Sequence, residues 1–255
     1  MKKLLLATAA VALLVTACGD DDDEPTAQAT TTTTATPTTT ETPPQSTTTT
    51  TTPVVHLVDP ADTARAWIAE IGGGDDDDAI ALTAPRSLEA IGGPEGFVEN
   101  ETALAEGWGA WDFAEELEVT AVELDASTAV VLLHGLVAQE GPPREAWAAM
   151  PVIATEDGDR VEPFLDLGNV EADPPAGATV ESDPRFSAYV LGGRDVQFIV
   201  DTGQPVVPAR QSADGDQQLG ELDVSGLEPG LHVLTVVVRR DGDIMTRTFE
   251  YTVDG

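Results

Sequence analysis

The sequence predicts an α+β domain followed by an all-β sandwich, carried behind a disordered stalk. Three observations predict it. Residues 19–53 are almost devoid of apolar side chains and rich in threonine. Residues 60–109 place apolar residues at helical spacing, and from Leu117 onward the period drops to that of strands. Beyond Glu181 the chain reads as short strands and turns only.

Lys2 and Lys3 give the N-terminus a positive start, and Leu4–Val15 is an apolar run of signal-peptide length. The run ends Val15-Thr16-Ala17-Cys18, which resembles a bacterial lipobox. The resemblance implies that residues 1–17 are removed and that Cys18 is acylated. It is the only cysteine in the chain, so no intramolecular disulfide is expected. Acyl chains at ~0.8 kcal/mol per buried methylene would hold the protein on the extracytoplasmic face of the cell membrane. Residues 18–53 then form the stalk. Its threonine runs, broken by Pro37, Pro43, Pro44 and Pro53, offer no core to offset the entropy of ordering.

The formal net charge is −34. Such a surface repels nucleic acid, so no nucleic-acid partner is expected. The acid clusters Asp75–Asp78 and Asp214-Gly215-Asp216 lack the alternating ligand spacing of an EF-hand loop. No metal and no cofactor are expected.

The first folded domain is placed at 54–166. Asp59 or Asp62 caps a helix over Pro60–Ile71, with Ala64, Trp67, Ile68 and Ile71 on one face. Further helices are expected at Asp77–Thr83 and Pro94–Gly109, with Ser87–Ile91 and a Gly92-Gly93-Pro94 break between them. Strands follow at Leu117–Leu124, Ser127–Ala138, Arg144–Thr155 and Arg160–Leu165, the last two joined by an Asp-Gly hairpin turn. Helices first, then a meander ending EDGDRVEPF, resembles the cone fold of the nuclear transport factor 2-like superfamily. The resemblance implies a curved sheet wrapped around helices, and in some members an enzymatic pocket with an acid base and a tyrosine or protonated acid as donor. Tyr189 and Tyr251 both lie outside this domain. His134 is the residue that could face the cone. Trp67, Trp108, Trp111 and Trp147 complete the candidate pocket.

Residues 167–181, with Pro174-Pro175 and Gly177, read as a linker. The second domain, 182–255, is expected to carry strands at Phe186–Leu191, Asp195–Val200, Val206–Gln211, Leu219–Val224, Leu231–Arg240 and Ile244–Val253. Its run Gly226-Leu227-Glu228-Pro229-Gly230-Leu231-His232 resembles the turn into the last hairpin of bacterial immunoglobulin-like surface modules. That makes His232 a strand-entry residue. No histidine shows metal-ligand spacing.

Asp201-Thr202-Gly203 resembles the aspartic-protease motif. That chemistry needs two carboxylates, hence a dimer here. The supporting apolar-apolar-Gly run, Tyr189–Asp195, precedes Asp201 in the wrong order. A strand followed by an Asp-x-Gly turn is the simpler reading. The motifs of serine hydrolases, zinc proteases and phosphate-binding loops are absent. The expected role is therefore a non-catalytic surface lipoprotein that binds a small ligand or an envelope protein. Two other readings stay open: a cone-fold enzyme with His134 or an acid as base, and a dimeric aspartic protease.

Overall fold

The computed structural model describes residues 55–138, 142–164, 170–191, 195–208, 210–214, 217–240 and 243–254. The expected signal peptide, Cys18, the expected stalk and Gly215-Asp216 lie outside the described residues.

Helix α1 (Pro60–Gly73) begins where Asp59 Oδ1 accepts from the Asp62 N–H at 3.1 Å, with Pro60 in the first turn. It ends at Gly74, whose φ of 73° only glycine adopts without strain. Ala64, Trp67, Ile68 and Ile71 are its buried face, as the spacing predicts. Helices α2 (Asp76–Leu82) and α3 (Pro85–Ala90) follow. The helix expected over Pro94–Gly109 is two helices, α4 (Gly93–Glu99) and α5 (Glu101–Gly107), plus a 3₁₀ turn at Gly109–Trp111. Asn100 breaks it: its Nδ2 donates to the Gly96 carbonyl at 2.7 Å, competing with the helical ladder. Gly96 itself cannot be replaced in place, because a Cβ there would sit 1.8 Å from the Ile91 carbonyl oxygen.

Strands β1 (Glu115–Asp125), β2 (Thr128–Val137), β3 (Arg144–Thr155) and β4 (Gly158–Val161) form an antiparallel meander in that order. The Asp157-Gly158 turn is where the sequence places it, with Gly158 at φ 106°. Asp159 on β4 is buried and accepts from the backbone N–H groups of Val58 and Asp59 at 3.0 and 2.9 Å, pinning the chain's entry to the sheet.

The remaining strands form two four-stranded sheets. One has β5 (Val170–Asp173), β7 (Arg185–Leu191), β10 (Gln217–Asp223) and β9 (Arg210–Asp214) in that order; the other has β6 (Thr179–Val180), β12 (Asp243–Val253), β11 (Gly230–Arg240) and β8 (Asp195–Val200). Part of the stretch read as linker is therefore strand. β5 pairs with β7, and β6 pairs in parallel with β12. Such short pieces show no periodicity of their own; they are strands because distant neighbours hold them. Phe186, Phe198, Leu234, Val236, Phe249 and Tyr251 fill the space between the two sheets, and Tyr251 Oη donates to the Pro174 carbonyl at 2.8 Å.

Residues 55–254 belong to one compact unit. The helices cover one face of β1–β4. The opposite face packs on the β6-β12-β11-β8 sheet through Val122, Val130 and Leu132 against Ile199, Val237 and Ile244. Strand β2 is consequently buried on both faces over Thr128–Leu133, which is why Ala129–Leu133 is apolar throughout instead of alternating. Arg239 Nη2 reaches Asp125 Oδ2 at 2.6 Å across this junction, and Thr246 Oγ1 donates to the Ala149 carbonyl at 3.1 Å.

Candidate functional site

The concave face of the first sheet is filled. Trp67, Ile68, Ile71, Phe97, Trp111 and Met150 are buried within it. Trp67 meets Trp108 and Phe164 edge to face, with ring centroids 5.9 and 6.4 Å apart. Its indole N–H donates to Thr83 Oγ1 at 2.9 Å, and the Thr83 hydroxyl donates in turn to the Ala79 carbonyl at 2.8 Å. Trp67 and Trp111 are core. Trp108 is half-buried and reaches the rim.

His134 does not face the helix side of the sheet, where the expected pocket would lie. On β2, Val131 and Leu133 belong to the helix-side core, whereas Val130 and Leu132 belong to the sandwich side. Alternation then puts His134 on the sandwich side. Its cross-strand partner Trp147 lies on the same face, and the two rings stack at 4.1 Å with 16° between their planes. The strand run is apolar on both faces, so the sequence alone could not say which face His134 takes.

The end of the sheet where β2 stops and β3 begins carries two adjoining concavities. A groove of about 330 Å³ is lined by Trp108, Trp111, Trp147, Arg144, Glu145 and Glu250, together with small and apolar neighbours. A second of about 260 Å³ is lined by Glu116, Glu118, His134 and Glu145. Glu145 belongs to both. It bonds His134 Nε2 through Oε1 at 2.8 Å, while Glu118 Oε2 lies 3.6 Å from Nδ1. Glu116 holds a left-handed backbone, φ 56°, at the bulge that opens β1. A wider depression of about 740 Å³ lies beside Phe113, but its lining is mostly Gly and Ala with one acid. Few polar groups converge there.

The groove borders an unpaired strand edge. β4 pairs with β3 only over Val152–Thr155. Pro151 offers its carbonyl to Glu162 N on that side, while Ala154 N turns to Ser127 on the other. By the alternation of a strand, the N–H and C=O groups of Glu145, Trp147 and Ala149 point to the open side. Thr246 takes the Ala149 carbonyl. Among the described residues no strand pairs with Arg144–Met150 there. Trp147 Nε1 is also buried without a partner.

Asp201 is engaged elsewhere. Its φ is 51°; Oδ1 accepts from the Val233 N–H at 3.0 Å and Oδ2 lies 2.9 Å from His232 Nδ1. His232 Nε2 faces the Glu228 carbonyl at 2.7 Å. The Glu228 carbonyl can only accept, and so can an ionised Asp201 carboxylate, so the geometry suits a ring that donates from both nitrogens, the imidazolium form. Partial burial alone would lower the His232 pKa, but the hydrogen bond to Asp201, the Glu228 carbonyl and the Asp201 charge together raise it. This is a latch between a turn and a strand, with both carboxylate oxygens occupied inside the chain.

Glu70, Asp75 and Asp78 bring three carboxylates within 4.8 Å of one another. Asp75 is already the cap of α2, accepting from the Asp78 N–H at 3.4 Å, and Asp75 and Asp78 are exposed.

Glu162 is the buried acid that sequence reasoning passed over. It is 1% exposed, and neither carboxylate oxygen has a hydrogen-bond partner. Burial, then the charge of Asp243, pushes its pKa up to about 7. Arg86 and the Ile244 N–H, which approaches without reaching hydrogen-bond geometry, oppose the rise. Glu118, Glu145 and Glu250 of the two concavities were missed too. Glu145 shares a strand parity with Trp147 and could have been paired with it. Glu250 arrives from another sheet, and no local pattern signals it.

No family model matches the sequence, and a search of curated proteins returns no match. Solved structures show short overlaps. The chain is similar to CopC from Methylosinus trichosporium OB3b, at 30% identity over 33% of this chain and 89% of that one, with a TM-score of 0.28. It is similar to an endo-β-1,4-mannanase from Thermotoga petrophila at 12% identity, over 35% of this chain and 21% of that one, with a TM-score of 0.29. An engineered protein shows 17% identity over 34% of this chain and 20% of its own, with a TM-score of 0.27. The chain thus spans about a fifth of the mannanase and of the engineered protein.

Proposed function

We propose that this protein is a non-catalytic binding module displayed on the outer face of a bacterial membrane. An acyl anchor on Cys18 holds it and a threonine-rich stalk spaces it. A nuclear transport factor 2-like domain and an immunoglobulin-like sandwich make the folded part. A protein of the envelope docks in the groove at the start of β3.

The single observation that carries the binding reading is where the concave space lies. The cone interior is packed by Trp67, Phe97, Trp111 and Met150, leaving the small ligand no chamber there. The aromatic and polar residues that converge in a concavity do so at the rim, around Trp108, Trp147, Arg144, Glu145 and Glu250. The enzyme reading is weakened by the same geometry, since His134 lies outside the cone. The protease reading is weakened because both oxygens of Asp201 are held within its own chain.

The test is site-specific photo-crosslinking of the full chain in its native envelope. A photoreactive side chain at Ala148 should capture a partner, and one at the exposed Tyr189 of the sandwich should not. Capture at Tyr189 alone overturns the groove. For the anchor, Cys18→Ser should move the protein out of the membrane fraction.

A further inference from the structure

We infer that the groove's occupant is an extended polypeptide segment of another protein, with alternating apolar and basic side chains, which adds as a strand to the open edge of β3. This rests on the binding reading above and names its partner class.

Backbone chemistry supports the strand. Glu145 and Trp147 present two N–H and two C=O groups to a side where no strand pairs with them among the described residues; β12 comes alongside β3 there, bonding the Ala149 carbonyl through Thr246 and supplying Glu250 as a wall of the groove. Unpaired edge groups of this kind are the template for strand addition. The pairing has a natural stop. Thr246 already occupies the Ala149 carbonyl, and Pro151 has no N–H to give. The usable register is therefore Arg144–Ala148, which is the stretch that lines the groove.

Side-chain chemistry supports the alternation. A strand sends successive side chains to opposite faces. One set would meet the half-buried indole of Trp108, on the helix side of β3 with the core residue Trp111 behind it. The other would meet Trp147, Glu145 and Glu250 on the sandwich side. Carboxylates beside an indole are a setting for a lysine or arginine. Along the two concavities Glu116, Glu118, Glu145 and Glu250 outnumber the one cation, Arg144.

Charge also selects the occupant's source. A second copy of this chain carries the same net charge of −34 and is repelled. The chain's own residues 19–53 hold no lysine or arginine and so offer nothing to the four glutamates. A basic segment of a different protein fits both demands.

The experiment is isothermal titration of the full-length chain with a blocked hexapeptide of alternating valine and lysine at low salt. Three comparisons run beside it: the peptide N-methylated at alternate residues, its valine–glutamate counterpart, and the doubly substituted chain Glu145→Gln, Glu250→Gln. Binding of the lysine peptide is expected. N-methylation should weaken it about tenfold or more, because it removes the edge hydrogen bonds. The double substitution should weaken it to a similar degree, and the glutamate peptide should not bind. Equal binding of the N-methylated peptide overturns strand addition, since charge alone then accounts for the affinity. Equal binding of the glutamate peptide overturns the basic occupant. If the lysine peptide does not bind while the crosslinker at Ala148 still captures a partner, the groove stands and the partner class is wrong. If both fail, both readings fall. A dimer of the chain in sedimentation, dissolved by Trp147→Ala, would also overturn the inference in favour of a second copy.

Discussion

The two faces of the β1–β4 sheet are closed in different ways. On the helix side, Trp67, Phe97, Trp111 and Met150 interlock, and the Trp67 N–H has its acceptor in Thr83. On the sandwich side, a small apolar patch around Leu132 and Ile244 is flanked by polar atoms that found no partner: Trp147 Nε1, Gln197 Oε1, Thr235 Oγ1, Arg239 Nε and both oxygens of Glu162. The helix side is a core, and buried polar groups there are satisfied. The sandwich side is a smaller apolar contact bordered by unpartnered polar atoms, and the groove lies beside it. The lesson is that the proposed binding groove sits where packing is incomplete.

The comparison is sharpened first by truncating its two faces. Trp67→Ala should cost about 3–5 kcal/mol and Leu132→Ala about 2–3 kcal/mol in urea denaturation. Equal losses would mean the faces are equivalent cores.

Glu162→Gln should act next, by roughly 3 kcal/mol, and only on one side of the pH scale. The folded-state pKa, about 7, is raised above that of an unfolded glutamate. The group's contribution is therefore full below the unfolded value and is lost as pH rises through about 7. The variant should match wild type near pH 4 and exceed it in stability above pH 8. A pH-independent difference between the two would remove Glu162 as the weak point of the interface.

Asp201→Asn tests the latch, which lies away from both faces. Asparagine tolerates the left-handed backbone of residue 201, so the change isolates the ion pair. Both partners keep some exposure, so the cost should be about 1–2 kcal/mol. Because the His232 pKa is raised on folding, its stabilisation is complete below the unfolded pKa and fades as pH rises through the folded one. The penalty of Asp201→Asn should thus be larger at acid than at alkaline pH in thermal melts. No such pH trend would mean that the pair is not charged.

His134→Ala should change stability least, by within about 0.5 kcal/mol, since the ring is partly exposed and its partners Glu118 and Glu145 are solvated. A loss as large as that at Leu132 would place His134 in the interface core instead of on the groove.

How much of this was legible before folding differs by element. The buried stripe of α1, the Asp157-Gly158 turn and the last hairpin, β11 with β12, follow from periodicity and turn chemistry within a few residues. The break at Asn100 was missed because a side chain competing for the Gly96 carbonyl looks, in sequence, like any polar residue on a helix. β5 and β6 were missed because two to four residues carry no period, and their pairing partners lie far along the chain. Of the candidate pocket, Trp108 and Trp147 reach one groove with Trp111 at its wall, Trp67 is core, and His134 turns to the neighbouring concavity.

By itself the sequence determined the switch from helices to strands, the excess of negative charge and the residues able to make a core, because these depend on composition and on neighbours within a turn or a strand. Only the tertiary structure decided which face of β2 carries His134, that Glu162 is enclosed, and that Glu250 joins Trp147 and Glu145 at an open edge. Those outcomes depend on strand register and on the packing of one sheet against another. A one-residue slip would reverse every side chain, and local pattern is silent about it where both faces are apolar.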